Sequence, residues 1–260
     1  MNIGCVIPAR FGSTRLPGKP LADIAGKPMI QRVYERVTQA KKPQVVIVAT
    51  DDQRVYDAVK SFGGTVVMTD ANHPTGTDRL AEVAQQYTDL DVIINVQGDE
   101  PMIDAHLIDQ LGELFEDDAH LQMATVATPL LKEEYDEPSA VKVILNKRND
   151  AMYFSRSLIP YPRHDFVNAP LKHIGIYAYR RQFLLDYAKM EPTAAEQTES
   201  LEQLRALENG FSIRVITTDK RFVGVDTPED LARVNERAVC ISRPMRNRRL
   251  RPHIGNWQRG

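Results

Sequence analysis

Two kinds of hydrophobic run alternate along the first hundred residues. Residues 3–7, 44–50, 65–68 and 92–96 are short, nearly unbroken apolar stretches, the pattern of strands buried on both faces. Between them lie segments whose apolar residues recur three and four apart. The segment MIQRVYERVTQA places Ile30, Val33, Tyr34 and Val37 on one face and follows Pro28, a residue preorganised for a first helical turn. In DQRVYDAVKSF the inward face is Val55, Tyr56 and Val59, and Gly63 follows where a helix ends in left-handed backbone. LAEVAQQY reads as a third helix. Strands alternating with helices predict an α/β fold with a parallel, doubly wound sheet, and such sheets bind ligands at the carboxyl ends of their strands.

The second half follows this pattern less closely. QMATVAT and AVKVIL are strand-like, and AMYFSRSLIPYPR is an aromatic-rich segment broken by prolines. KHIGIYAYR reads as a strand carrying His173, Tyr177 and Tyr179, a composition of sheet core or subunit contact. ESLEQLRALENG reads as a helix with Leu201, Leu204 and Leu207 inward, which leaves Glu202 and Gln203 on the solvent side.

Composition narrows the function classes. A chain of 260 residues suits one α/β domain, with or without a smaller subdomain. Its net charge of −2 argues against general nucleic-acid binding. The two cysteines, Cys5 and Cys240, are far apart and form no C-x-x-C pair, so neither a disulfide framework nor a zinc site is expected. Cys5 reads as a small buried hydrophobe. No stretch is long and apolar enough to insert in a membrane, and a cytosolic location is expected.

The loop after the first strand carries the chemistry. Arg10, Arg15 and Lys19 stand among Gly12, Ser13, Gly18 and three prolines. Lys19 precedes Pro20 where a Walker A loop needs Ser or Thr, and there is no G-x-G-x-x-G. For any one cation the plain reading is a solvated side chain. The prolines favour a site for the set, because a stiff loop holds cations ready for a polyphosphate. Asp99 follows the strand VIINV, with Gly98 before it and Pro101 two residues on. Asp226 follows RFVGV, and Thr227 with Asp230 supplies a capping pair that leaves Asp226 free. Two carboxylates from separate loops beside a cationic loop suit a magnesium–nucleotide site, since Mg²⁺ takes few carboxylates and phosphate oxygens.

These pieces, in order, resemble the 3-deoxy-manno-octulosonate (KDO) cytidylyltransferase family from residue 3 to about 234. The resemblance rests on IPARFGSTRLPGKPL, GKPMI, VATDD, HPTGTDRLAEV, INVQGDEPMI, AVKVI, AMYFSRSLIP, HIGIYAYR, SLEQLR and GVDTPEDL. It implies a Rossmann-like nucleotidyltransferase with a mostly parallel sheet flanked by helices, residues 1–240, and a small dimerisation subdomain within roughly 150–185. It also implies a homodimer using CTP, KDO and Mg²⁺ for lipopolysaccharide synthesis. By the same resemblance Arg10, Ser13, Arg15 and Lys19 meet the CTP phosphates, and Ala9, Thr50, Thr77 and Gln97 lie along the nucleotide. Lys19, Asp99 and Asp226 are catalytic, and the two acids hold the metal. Arg156, His173, Tyr177, Glu202 and Gln203 face the sugar acid, which revises the solvent reading of the last pair. A sialic-acid cytidylyltransferase shares the I-P-A-R opening but resembles G-G-S-K-G-I-P-x-K-N where this chain has FGSTRLPGKP. An enzyme for an amino-substituted KDO and a catalytically silent nucleotide-binding protein are two further rivals. Residues 241–260 hold six arginines and no acid, outside any family match, and read as a mobile basic tail.

Overall fold

A computed structural model of the chain describes residues 1–12, 15–220 and 222–242, the last six by their place in a helix alone. Strand β1 (Ile3–Pro8) leads through a small hairpin, β2 (Asp23–Ile24) and β3 (Lys27–Pro28), into helix α1 (Met29–Val37). Then come β4 (Val45–Thr50), α2 (Gln53–Ser61), β5 (Thr65–Met68), α3 (Gly76–Gln86) and β6 (Val92–Asn95). The second half runs α4 (Ala105–Asp117), β7 (Met123–Pro129), β8 (Lys142–Leu145), β9 (Ala151–Ser155) and β10 (Leu171–Arg180). It ends with α5 (Arg181–Tyr187), α6 (Ala194–Glu199), α7 (Leu204–Glu208), β11 (Ile213–Thr217) and α8 (Pro228–Ser242).

The main sheet is mixed and mostly parallel, in the order β11-β7-β10-β6-β1-β4-β5. Cys5 of β1 pairs in parallel with Val46 of β4 and with Ile94 of β6. Alternate residues feed two cores. Ile3, Cys5 and Ile7 face α1, α2 and α4, and Val6 faces the side covered by α3, α5 and α7. Helices on both faces explain why these strands are apolar without alternation. Burial pushes the Cys5 thiol well above its usual range, so it behaves as the expected hydrophobe.

Several elements depart from the sequence reading. The helix α4 and the strands β9 and β11 lie in stretches the periodicity did not resolve. Helix α3 begins at Gly76, four residues before LAEVAQQY, because Thr75 and Asp78 form a capping box. Residues 222–226, ahead of α8, are irregular and form no strand, tied to the sheet by the Val225 amide donating to the Asp99 carbonyl at 2.9 Å. The helix expected over 199–210 is broken. Ser200 is left-handed (φ 50°) and ends α6, and α7 starts only at Leu204. The chain between turns, so Leu201 and Gln203 are both buried. Within 150–185, strand β10 lies inside the main sheet between β6 and β7. Ser13 and residues 243–260 of the basic tail lie outside the described residues, while 241 and 242 are helical.

A third, small core brings the far end of the chain to the first loop. Val225 and Val234 pack with Ile24 and Met29. The Asn235 amide donates to the Asp23 carbonyl at 3.0 Å, and its oxygen accepts the Ala25 amide at 2.8 Å. This docking carries Asp226 to within reach of Lys19.

Candidate active site

Lys19 stands at the centre of the site. Gly18, at φ 67°, adopts the left-handed conformation that opens a single 3-10 turn at Lys19–Leu21, with Pro20 just inside it. The Phe11 ring packs on Gly18, and the Arg54 guanidinium stacks over that ring at 3.4 Å. From this braced turn the Lys19 ammonium reaches Asp99 Oδ2 at 2.5 Å and Asp226 Oδ1 at 2.8 Å. Arg15 reaches the same Asp226 oxygen at 3.1 Å. Burial alone would lower the Lys19 pKa, but the two carboxylates outweigh it and hold the group above its ordinary value. The acids therefore have a protein counter-ion. Nothing beside either acid in sequence indicates this cation, for Lys19 precedes Asp99 by 80 positions and Asp226 by 207.

Each acid is aimed by its local backbone. A side chain at Gly98 would come within 2.7 Å of the Pro8 carbonyl, so only glycine lets the ends of β1 and β6 approach closely enough to seat Asp99 beside the cationic loop. At the other end, the Thr227 hydroxyl accepts the Asp230 amide while Asp230 Oδ2 accepts the Thr227 amide. Asp230 completes the cap, and the Asp226 carboxylate faces the lysine. Glu100 carries no sequence signal that separates it from a solvated acid. In the fold, burial and the charge of Asp99 push its pKa up to about 8, and its Oε2 is sealed without a hydrogen-bond partner.

Two chambers meet here. The first, about 480 Å³, is lined by Ala9, Arg10, Arg15, Lys19, Asp99 and Asp226 among others, and lies in the size range of ligand pockets. The second, about 180 Å³, is lined by Thr77, Asn95, Tyr177, Tyr179, Tyr187, Glu202 and Gln203. Gly76 and Gln97 belong to both walls. Tyr177 of the second chamber directly follows a register shift in β10, between Ile174 and Tyr177. The Gln97 amide donates to the Gly175 carbonyl in that shift at 3.0 Å. Across the chamber the Tyr187 hydroxyl donates to the Glu202 carbonyl at 2.6 Å and anchors the turn after Ser200. Burial raises the Glu202 carboxyl above the usual range, against the lowering effects of Thr77 and Arg205.

A model of the Cytidylyltransferase family matches residues 4–218. The chain is 53% identical over 244 residues to the 3-deoxy-manno-octulosonate cytidylyltransferase of Syntrophotalea carbinolica, covering 90% of this chain and 97% of that one. It is 51% identical to the protein of the same name from Geobacter metallireducens, over 91% and 98% of the two chains. The chain belongs to the 3-deoxy-manno-octulosonate cytidylyltransferase family. It is accordingly a nucleotidyltransferase. A solved CMP:2-keto-3-deoxy-manno-octonic acid synthetase in complex with CTP superposes with a TM-score of 0.89 at 49% identity, over 93% of this chain and all of that one. A glucose-1-phosphate thymidylyltransferase described as putative, from Bacillus anthracis, shares the fold alone (TM-score 0.66, 16% identity).

The residues that family resemblance selects fall into three groups in this cytidylyltransferase. Ala9, Arg10, Arg15, Lys19, Gln97, Asp99 and Asp226 line the first chamber, and Thr77, Tyr177, Glu202 and Gln203 the second. The others serve as supports. Thr50 is fully buried, its hydroxyl donating to the Ala9 carbonyl at 2.7 Å. Arg10 also braces the loop before α3, donating to the carbonyls of His73 (2.7 Å) and Thr75 (2.9 Å). Arg156 spends its guanidinium on the backbone carbonyls of Glu199, Pro138 and Ser200. It clamps β9 to the turn that carries Glu202 and lines neither chamber. His173 sits behind Tyr177, edge-on to Phe154. The Thr125 hydroxyl donates to the Ile176 carbonyl at 2.7 Å, so at 3.0 Å it accepts the His173 Nε2–H. Lys172, near the start of β10, pairs with Glu134 at 2.5 Å.

Burial lowers the His173 pKa from 6.5 to about 3. Above pH 6.5 the ring is neutral whether the chain is folded or not. Below that only the unfolded chain takes the proton, so stability falls as pH drops from 6.5 toward 3, by at most ~1.4 kcal/mol per pH unit. Melting curves across this window should show the loss in the native chain and a flatter limb in His173→Gln. An equal slope in both would assign the acid lability to other groups.

The donor set fits a hard divalent cation. Asp99 and Asp226 offer carboxylate oxygens that converge on one point, now the Lys19 ammonium. Among the described residues no cluster of three or more His, Cys, Asp or Glu forms, a poor setting for zinc. Mg²⁺ takes one or two protein carboxylates and completes its shell with phosphate oxygens and water.

Proposed function

We propose that the chain catalyses CTP + KDO → CMP-KDO + diphosphate, activating the sugar acid for lipopolysaccharide synthesis. The observation that carries this reading is the junction at Gly76 and Gln97 between a cationic chamber and a chamber of hydroxyl, amide and aromatic groups. A triphosphate suits the first and a polyhydroxylated sugar suits the second. Where they meet, the anomeric hydroxyl can attack the α-phosphorus in line while diphosphate leaves.

Negative charge grows on the transferring phosphoryl and on the leaving diphosphate. Fixed cations are the largest available means of lowering such a barrier, and a braced loop needs little reorganisation to supply them. Arg10, Arg15 and Lys19 are those cations here. Asp99 and Asp226 would hold Mg²⁺, which when bound neutralises phosphate oxygens and orients the α-phosphoryl group. With Asp99 and Asp226 engaged on the metal, Lys19 would be free to reach the triphosphate.

A homodimer is part of this reading. Met152, Tyr161 and Val167 are 60%, 85% and 97% exposed, and their apolar surface in one stretch of chain suits a contact with a second copy. No helix among the described residues is long and apolar enough to cross a membrane, and a cytoplasmic location, where CTP is made, fits the substrates.

Diphosphate release from CTP, with KDO, its amino-substituted analogue and a sialic acid compared side by side, tests the assignment. Release should require KDO and Mg²⁺, and light scattering should find the active species at twice the chain mass. Faster turnover of either competitor, or turnover indifferent to the acceptor, would replace KDO as the substrate.

A further inference from the structure

The loop between β5 and α3, residues 69–75, is pinned at both ends. At one end Thr69 is tied to the Thr50 carbonyl, by its amide at 2.8 Å and its hydroxyl at 3.1 Å. At the other, the capping box of Thr75 and Asp78 starts α3. A single carboxylate oxygen holds the middle. Glu82 Oε2, on α3, accepts the Asp70 amide at 2.9 Å and meets His73 Nε2 at 2.5 Å. An ionised carboxylate only accepts, so that ring nitrogen carries the hydrogen. The His73 and Glu82 side chains are 21% and 27% exposed, so water screens the pair only in part. Pro74 disfavours helical backbone at His73 and has no amide hydrogen of its own to place.

The held loop offers two carbonyls to one atom. Those of His73 and Thr75 accept from Arg10 Nη2 at 2.7 and 2.9 Å. A terminal guanidinium nitrogen has two hydrogens, so both are used and the plane of the group is set. Arg10 lines the first chamber beside Arg15 and Lys19. Those two cations are held by Asp99 and Asp226. Arg10 is oriented here by neutral carbonyls, which do not offset its charge.

We infer that His73 and Glu82 are positioning residues for nucleotide binding: their pair fixes the loop whose carbonyls aim Arg10 into the first chamber. The inference rests on the proposed function, in which Arg10 meets the triphosphate, and adds what holds that cation ready. With the pair broken, loop and guanidinium can both move, and ordering them becomes part of the cost of binding CTP. Once the triphosphate is in place its oxygens hold Arg10 themselves, so binding suffers more than chemistry.

The test compares Glu82→Ala and His73→Leu, which break the pair from either side, with Glu82→Gln, which keeps an acceptor there. Calorimetry gives the Kd for CTP with Mg²⁺ and no sugar acid, and steady-state rates give kcat and both KM values. Glu82→Ala and His73→Leu should each raise Kd and KM for CTP about five- to tenfold, on the scale of ordering one long side chain. Their kcat and KM for the sugar acid, and CTP binding by Glu82→Gln, should stay within about twofold of wild type. Where Glu82→Ala folds poorly, His73→Leu carries the same comparison. Adding either broken-pair substitution to Arg10→Ala separates positioning from general loosening: the double variant should bind CTP as Arg10→Ala does. Independent, multiplying losses overturn the inference, as does a Glu82→Gln protein as weak as Glu82→Ala, which would make the charge of Glu82 its role. Unchanged CTP affinity in both broken-pair variants, with wild type active on CTP and KDO, overturns this inference alone. Wild type without that turnover overturns the proposed function, and this inference with it.

Discussion

Asp99→Asn and Asp226→Asn should each remove most turnover, at least ~10²-fold, the scale of losing one preorganised electrostatic contact at a reacting phosphoryl group. Asparagine keeps the size and hydrogen-bonding shape of the side chain but loses the charge that Mg²⁺ requires. Stability should stay within about 1 kcal/mol, because both carboxylates are partly solvated and such pairs contribute little. The fold argues against capping as the reason for either acid. The Thr227–Asp230 pair caps α8, and α4 takes its cap from Asp104. Raised Mg²⁺ should restore part of the rate. Initial rates over a Mg²⁺ series, paired with thermal melts, measure both quantities. Near-normal, metal-independent turnover in both variants would sink the metal site.

For Lys19→Ala, kcat should fall by ~10²–10³, about 3–4 kcal/mol of barrier. The KM for CTP should rise less, since Arg10 and Arg15 remain in the chamber. The ion pairs of Lys19 add a second, opposite effect. Without its ammonium, Asp99 and Asp226 lose the cation they share, although Arg15 still reaches Asp226. The free protein should then bind Mg²⁺ more tightly than wild type while turning over more slowly. Calorimetric titration of the free protein with Mg²⁺, set beside single-turnover rates, separates these effects from a general loss of structure. A raised KM for CTP with kcat unchanged would make Lys19 a uniform binding residue. Unchanged Mg²⁺ affinity would mean that the lysine and the metal do not compete for the carboxylates.

Much of the architecture was legible locally. The apolar runs that became β1, β4, β5 and β6 are buried on both faces, and that pattern reads the same in one dimension as in three. Gly63 and Gly210, expected at helix ends, are both left-handed, and the Thr227–Asp230 cap was visible in four residues. Motifs in order were enough to place the chain in its family. The stiff cationic loop was legible for a similar reason, since proline and glycine restrict backbone wherever they occur.

Contacts between distant residues were not legible. That Lys19 lies between Asp99 and Asp226 depends on the Val225–Ile24 core and on the close approach of Gly98 to Pro8, neither of which leaves a periodic signal. Arg156 has the residue type of a ligand for a sugar acid, but three carbonyls supplied by the tertiary fold take up its donors. Helical spacing alone leaves Glu202 and Gln203 in solvent, whereas Ser200 turns the chain and rotates them into a chamber wall. Asn95 reads from sequence as the end of a buried strand, and its unpaired oxygen becomes visible only when every neighbour has been placed. Sequence by itself determined which segments are buried, where helices begin and end, and which family the motifs spell, because those follow from local spacing and backbone freedom. The tertiary structure decided which charges are paired and which donors are spent, because those depend on distances between residues that the chain keeps far apart.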